Sequence, residues 1–339
     1  MTRFGRLSLV ALSLSLAAPA LAQEKPLEVG LGDVSLNKLM FVVAAEAGIY
    51  KKNGLDVAQF ISPGAAEVVR RSGIEVPKEF VRNNPGNINI GGGSPMMVAM
   101  TTNALAVDRI ILATTDPTSR FHVVSRPEIA KPEDLKGKRI GYSSYGALSH
   151  FMAINFARRM GWDPDRDISL ISNAMSVDVL KSGRIDALVG DEIAWTMAIN
   201  AGFRDLVDLG QYKIAMAGSG VNAARSWLKD NRETAARFVK STVDAVALIK
   251  TDKQIAFDSM KKWYGIGDAA HQESIYAEVA KLASKPYPAI DGIKAVMAIY
   301  NYHEMAMHKP EDFHDSSFVA ELDKSGYIDD LYQQKTKQN

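Results

Sequence analysis

The sequence predicts an α/β protein of two lobes, each a mainly parallel sheet flanked by helices and joined to the other by two crossings. Three observations carry this. Short apolar runs suited to strands alternate with longer runs suited to helices, the pattern of stacked strand–helix units. A polar stretch from Asp116 to Asp134, holding Pro117, Pro127 and Pro132, interrupts the alternation, which then restarts. Beyond Ser226 everything reads as helix.

The elements follow in order. Leu27 to Gly32 alternates apolar with polar or small residues and stops at Asp33, which reads as a strand entering a loop. Asn37 to Tyr50 is helical in composition, Gly54 breaks it, and Leu55 to Ile61 is a second strand. Gly64 to Arg71 suits a helix and Ile88 to Ile90 a buried strand. Ser94 and Pro95 are read as the N-cap and first residue of a helix to about Thr102, and Ile110 to Ala113 as another strand. After the extended segment Phe121 to Val124, the second lobe gives strand Arg139 to Tyr142, loop Ser143 to Ala147 and helix Leu148 to Met160. Strand Ile168 to Ile171, helix Ser176 to Ser182, and strands Ile185 to Val189 and Leu206 to Leu209 complete it. Tyr212 to Gly220 reads as the return crossing. Asn231 to Lys250 then places Ala235, Phe238, Val239, Val243, Val246 and Ile249 on one helical face. The polar tail Gln333 to Asn339 is expected to be disordered.

The N-terminal segment carries an address. Arg3 and Arg6 precede an apolar and small-residue run from Leu7 to Ala18, and Ala20-Leu21-Ala22 supplies a small-x-small cleavage pattern before Gln23. This predicts a secretory signal peptide over residues 1–22, too short to span a bilayer. Gln23 stands where a lipoprotein would need cysteine, and the chain has no cysteine at all. The expectation is a periplasmic protein with no stable membrane anchor. The whole chain has 40 basic and 39 acidic residues; losing the two arginines with the signal leaves a charge of −1, which does not suggest nucleic acid as a partner.

Several motifs resemble a family, the periplasmic binding proteins of ABC importers for nitrate, sulfonates, taurine and thiamine-pyrimidine precursors. Ala44 to Val57, AAEAGIYKKNGLDV, resembles the family's first helix-turn-strand, and Ile90 to Met100, IGGGSPMMVAM, its Gly-rich loop and helix. Leu135 to Tyr142, LKGKRIGY, resembles the opening of the second lobe, and Leu180 to Gly190, LKSGRIDALVG, a helix and acidic-tipped strand. The segment from Ser72 to Gly86 is longer than the family's usual link. The resemblance implies the type 2 periplasmic-binding-protein fold, with lobe 1 made of 23–119 and 217–339 and lobe 2 of 120–216. It implies crossings near Pro117 to Ser125 and Gln211 to Gly218, and a monomer that delivers a small-molecule solute to a permease with a cytoplasmic ATPase. It implies no enzyme activity, cofactor or metal. A periplasmic sensor serving a receptor kinase is the alternative. A relative of the thiamine-pyrimidine synthases is disfavoured, because those enzymes are cytosolic and cysteine-rich.

Other chemistries fail on spacing. Gly30-Leu31-Gly32 has Ser35 in place of the third glycine of a dinucleotide fingerprint, and Gly141 and Gly146 are followed by Ala147 where a phosphate loop needs lysine. His303 and His308 are five apart, off the four-residue spacing of a zinc helix. Neither Ser94 nor Ser219 completes a nucleophile elbow. What remains is a set of loops at the C-terminal ends of the expected strands, where open α/β sheets hold ligands and helix N-termini offer free N–H groups. The expected ligand-binding residues are Asp33, Ser35, Asn37, Gly93, Ser94, Thr115, Ser143, Ser144, Tyr145, Gly146, Asp191 and Trp195. Asp116 and Glu192 stand beside them, so four acids near one cleft weigh against nitrate and favour a sulfonate, a carboxylate or a pyrimidine-like compound.

Overall fold

The computed structural model describes residues 25–32, 35–71, 75–84, 86–102, 108–117 and 120–336. The expected signal peptide, Asp33 and the end of the polar tail lie outside them. Two five-stranded sheets organise the chain. The first contains β1 (Leu27–Leu31), β2 (Val57–Ile61), β3 (Ile88–Gly92), β4 (Arg109–Asp116) and β10 (Ser219–Ala224), in the order β2-β1-β3-β10-β4. The second contains β5 (His122–Ser125), β6 (Arg139–Gly141), β7 (Ser169–Ile171), β8 (Ala187–Gly190) and β9 (Arg204–Asp208), in the order β7-β6-β8-β5-β9.

Both sheets are mixed, which sharpens the expectation of mainly parallel ones. β1 pairs parallel with β2 and β3, while β10 is antiparallel to β3 and β4. In the second sheet β6 pairs parallel with β7 and β8, while β5 is antiparallel to β8 and β9. The opposed strands, β10 and β5, are the ones that arrive from the other sheet. A chain that leaves one sheet at the cleft enters the next at the cleft, so its first strand must run away from the strands that end there. The crossings therefore flow directly into strands: the segment expected only as extended, Phe121 to Val124, becomes β5, an internal strand between β8 and β9. Ser219 to Ala224, SGVNAA, lies between β3 and β4 although it has a single β-branched residue. Its small side chains suit that position, since a Cβ on Gly220 would come within 2.0 Å of the Ala113 carbonyl oxygen.

The helices follow from local chemistry. α1 (Leu39–Glu46) ends before Gly48, whose φ of +67° turns the chain as no β-carbon-bearing residue does without strain. α2 (Gly93–Thr101) starts earlier than expected, with Gly92 as its N-cap rather than Ser94. α3 (Leu148–Arg159) and α4 (Glu192–Asn200) belong to the second sheet, and Asp191 caps α4 by accepting from the Ala194 N–H at 3.0 Å. α5 (Arg232–Thr251) is the long helix expected from its periodicity, and it buries Phe238, Val239, Val243 and Val246 against α1. α6 (Lys253–Tyr264), α7 (Ala269–Val279) and α8 (Ile290–Ile299) follow. The last helix, Tyr327–Thr336, reaches into the segment expected to be disordered. Among the described residues no helix is long and apolar enough to cross a membrane.

A second apolar core spans both sheets. Met97 on α2, Phe151 and Phe156 on α3, and Ile293 and Val296 on α8 share one buried cluster. Gly292 lets α8 lie against the return crossing, where a Cβ would sit 1.9 Å from the Met216 carbonyl carbon. One flank of the cleft is thus packed shut, and the opposite flank is open.

Candidate ligand-binding site

The loops that end the cleft-facing strands meet at a recess of about 250 Å³. Ser35, Asn37, Gly92 and Asp116 come from the first sheet, and Ser143, Ser149, Asp191 and Glu192 from the second, with Arg120 and Ser219 from the crossings. Of the residues expected from sequence, Ser35, Asn37, Ser143 and Asp191 meet here, and Asp116 and Glu192 join them. Trp195 lines an adjoining trough of about 1350 Å³ and stacks on His122 at 4.8 Å between ring centroids. Asp33 lies outside the described residues.

The other expected residues do not line the recess. The Gly93 N–H donates to the Gly218 carbonyl at 2.7 Å, and a Cβ there would meet the Ala217 Cβ at 2.6 Å. The Ser94 hydroxyl is buried and donates to the Gly146 carbonyl at 2.9 Å, a bond between the two lobes. Gly146 packs on Val98 of α2. Thr115 belongs to β4, not to a loop, and its hydroxyl donates to the Ser219 carbonyl at 3.1 Å. Ser144 and Tyr145 are exposed, and the Tyr145 ring lies against His150 and Tyr300, away from the recess. Tyr142 is buried and stacks on His150 at 4.4 Å. The loop Ser143 to Ala147 turns through Gly146, at φ +78°, and its two ends, Ser143 and Ala147, line the recess while Ser144 and Tyr145 between them are exposed.

The acids resolve into separate tasks. Asp116 pairs with Arg120, whose Nε also lies 3.4 Å from Glu192, so one guanidinium is held between a carboxylate from each lobe. Burial pushes the Glu192 carboxyl above its ordinary value; Arg120 opposes this, and Asp191 and Glu278 reinforce it. Asp191 spends one oxygen on its helix cap. The Ser143 and Ser149 hydroxyls are 2.7 Å apart and orient each other in the wall.

Sequence reasoning missed Lys38 and Arg120. Lys38 is 1% exposed, and its Nζ donates to Asn37 and, at 3.1 Å, to the Ser219 hydroxyl. A lysine in an otherwise apolar helical run reads as a surface charge, and nothing local signals its burial. Arg120 had a signal, its i, i+4 spacing from Asp116 in the crossing, but its second partner is 72 residues away. Among the described residues no three His, Asp or Glu side chains cluster as a metal would require.

The family model described as NMT1/THI5 like matches residues 35–255, more than half of the chain. The chain belongs to the NMT1/THI5-like family. Solved structures extend the likeness to the whole fold. The periplasmic nitrate-binding protein NrtA of Synechocystis PCC 6803 is similar with a TM-score of 0.67 at 13% identity, covering 91% of this chain and 90% of that one. The alkanesulfonate-binding protein SsuA of Xanthomonas axonopodis pv. citri, bound to MOPS, gives 0.63 at 16% identity, covering 84% and 95%. The desulfurization enzyme DSZB gives 0.53 at 15% identity, covering 88% and 99%. No curated protein matches the sequence. At these identities the structures establish the fold of the NMT1/THI5-like chain, that of the two-lobed periplasmic binding proteins.

Proposed function

We propose that this protein is a periplasmic solute receptor that captures a small organic molecule between its lobes and delivers it to an ABC importer. The observation that carries the reading is the recess itself: hydroxyl, amide and charged groups from both sheets converge where the strands of each end. Binding can favour a closed state only through contacts made from both lobes, and this wall supplies them. The lobes are 23–119 with 217–339, and 120–216. The protein acts as a free monomer after export.

The solute is a sulfonate, a carboxylate or a pyrimidine-like compound. Nitrate is disfavoured, because Asp116, Asp191 and Glu192 outnumber Arg120 in the recess wall and a bare anion has no groups to meet them. DSZB shows that the fold also hosts an enzyme, but this chain has no thiol, and its recess acids are engaged in an ion pair or a cap, which supports binding over turnover.

Native mass spectrometry of the protein purified from its own periplasm, followed by thermal shifts with the compound found, tests the proposal. A solute present at 100 times its Kd should add about 2.7 kcal/mol of stability by mass action. Chemical conversion of that compound by the purified protein would overturn the reading.

A further inference from the structure

A buried lysine fixes the polarity of its neighbour in the recess wall. Lys38 closes the single turn Leu36–Lys38 between β1 and α1, and Ser219 opens β10 on the return crossing; both are buried. The Lys38 ammonium reaches Asn37 Oδ1 at 2.5 Å and Ser219 Oγ at 3.1 Å, and the Ser219 hydroxyl approaches the same Oδ1 at 3.4 Å. An ammonium has donors only, so the amide atom turned towards it must be the oxygen. With that oxygen engaged, the Asn37 carboxamide is locked in one sense and its Nδ2, with two N–H groups, is the end left over. Among the described residues no acceptor meets it. Asn37 lines the recess and Lys38 does not, so the nitrogen is the part of the amide that a solute meets. The rest of the wall gives this donor its weight. Asp116, Asp191 and Glu192 offer acceptors, and the Arg120 guanidinium is held between two of them. An acceptor on the solute needs a donor that no carboxylate has engaged, and Asn37 Nδ2 is one.

We infer that Asn37 is the residue that selects the solute by its hydrogen-bond acceptor, a sulfonate or carboxylate oxygen or a pyrimidine carbonyl or ring nitrogen docked on Nδ2. Lys38 is the positioning residue: it does not touch the solute, and it keeps the amide from turning its oxygen into the recess. This rests on the solute-receptor reading and names the group of that site that reads the solute's polarity.

Calorimetry with methanesulfonate, acetate and cytosine, one probe for each solute class, tests this, with unliganded melts recorded to show that each variant folds. For a probe that binds the parent, Asn37→Ala should weaken binding about tenfold through the lost hydrogen bond. Asn37→Asp should weaken it about a hundredfold, because an acceptor replaces the donor, yet its unliganded melt should not fall, since Lys38 and Ser219 keep an oxygen to meet. Lys38→Met lets the amide turn and should weaken binding about threefold to tenfold, the cost of ordering one side chain again. In the Asn37→Ala background the same change should do nothing more, because Lys38 acts through Asn37. Full affinity in a folded Asn37→Asp would overturn the inference. So would an equal loss from Lys38→Met with and without Asn37, which would make Lys38 a direct charge contact. If none of the three probes binds, the inference fails, and the mass spectrometry of the co-purified compound separately decides the receptor reading.

Discussion

Gly146→Ala probes the seam between the lobes and separates two costs that the structure combines at one atom. The residue sits at φ +78°, where a β-carbon costs about 1 kcal/mol in backbone strain. The added Cβ would also lie 2.7 Å from Cγ1 and 2.8 Å from Cβ of Val98, on the helix of the other lobe. Val98 is buried, so neither side can swing away, and overpacking of this kind costs about 1–3 kcal/mol. The single variant should therefore lose about 2–4 kcal/mol, roughly 3–6 °C of Tm for a chain of this size. Val98→Ala alone removes two buried methyl groups and costs about 2 kcal/mol. In the double variant the contacts with the two Val98 methyl groups disappear, but the 2.8 Å approach to the retained Cβ and the backbone strain stay, so the losses should fall short of additive by about 1 kcal/mol. Thermal and urea unfolding of the four proteins measures this directly. Additive losses would refute the reasoning, because they would mean that Gly146 and Val98 do not touch and that the lobes are not packed along this flank.

Other expectations follow from the same geometry. Asp191→Ala should cost about 1 kcal/mol in the unliganded protein through its lost cap, and should also weaken the thermal shift given by the solute. Ser143→Ala should weaken solute binding in titration calorimetry, whereas Ser144→Ala, exposed and away from the recess, should match the parent. Arg120→Gln leaves the Asp116 and Glu192 carboxylates without their shared guanidinium, so the variant should unfold earlier and regain stability as pH falls and a carboxyl takes up a proton. Burial lowers the His150 pKa from 6.5 to about 4, so between those values the unfolded chain binds a proton that the folded one refuses. The contribution is complete above pH 6.5, fades as pH falls towards about 4, and totals at most about 3 kcal/mol. The pH dependence of urea unfolding should lose that component in His150→Gln.

The strand–helix alternation was legible because it depends on neighbours in sequence. Val29 and Leu31 in β1, or Phe238 and Val246 in α5, declare their buried side by spacing alone. β10 was not legible as a strand. SGVNAA lacks the bulk that marks most strands, and its position between β3 and β4 is fixed by close backbone approach. Several of the expected loops meet at the recess, yet which of their residues face it was not legible. Ser143 and Ser144 are neighbours of the same type, and a turn through Gly146 puts the first in the recess wall and leaves the second exposed.

By itself, then, the sequence determined the two-lobed α/β class and most of its strands and helices, since periodicity and turn residues are local properties. Only the tertiary structure decided the direction of the crossing strands, the seam of Met97, Phe151 and Ile293 that packs one flank shut, and the apolar trough on the other. It also decided the chemistry of the recess. Whether an acid acts as a cap, an ion-pair partner or a ligand contact depends on groups such as Arg120, and burial and charge pairing are set by residues that are distant in sequence and adjacent in space.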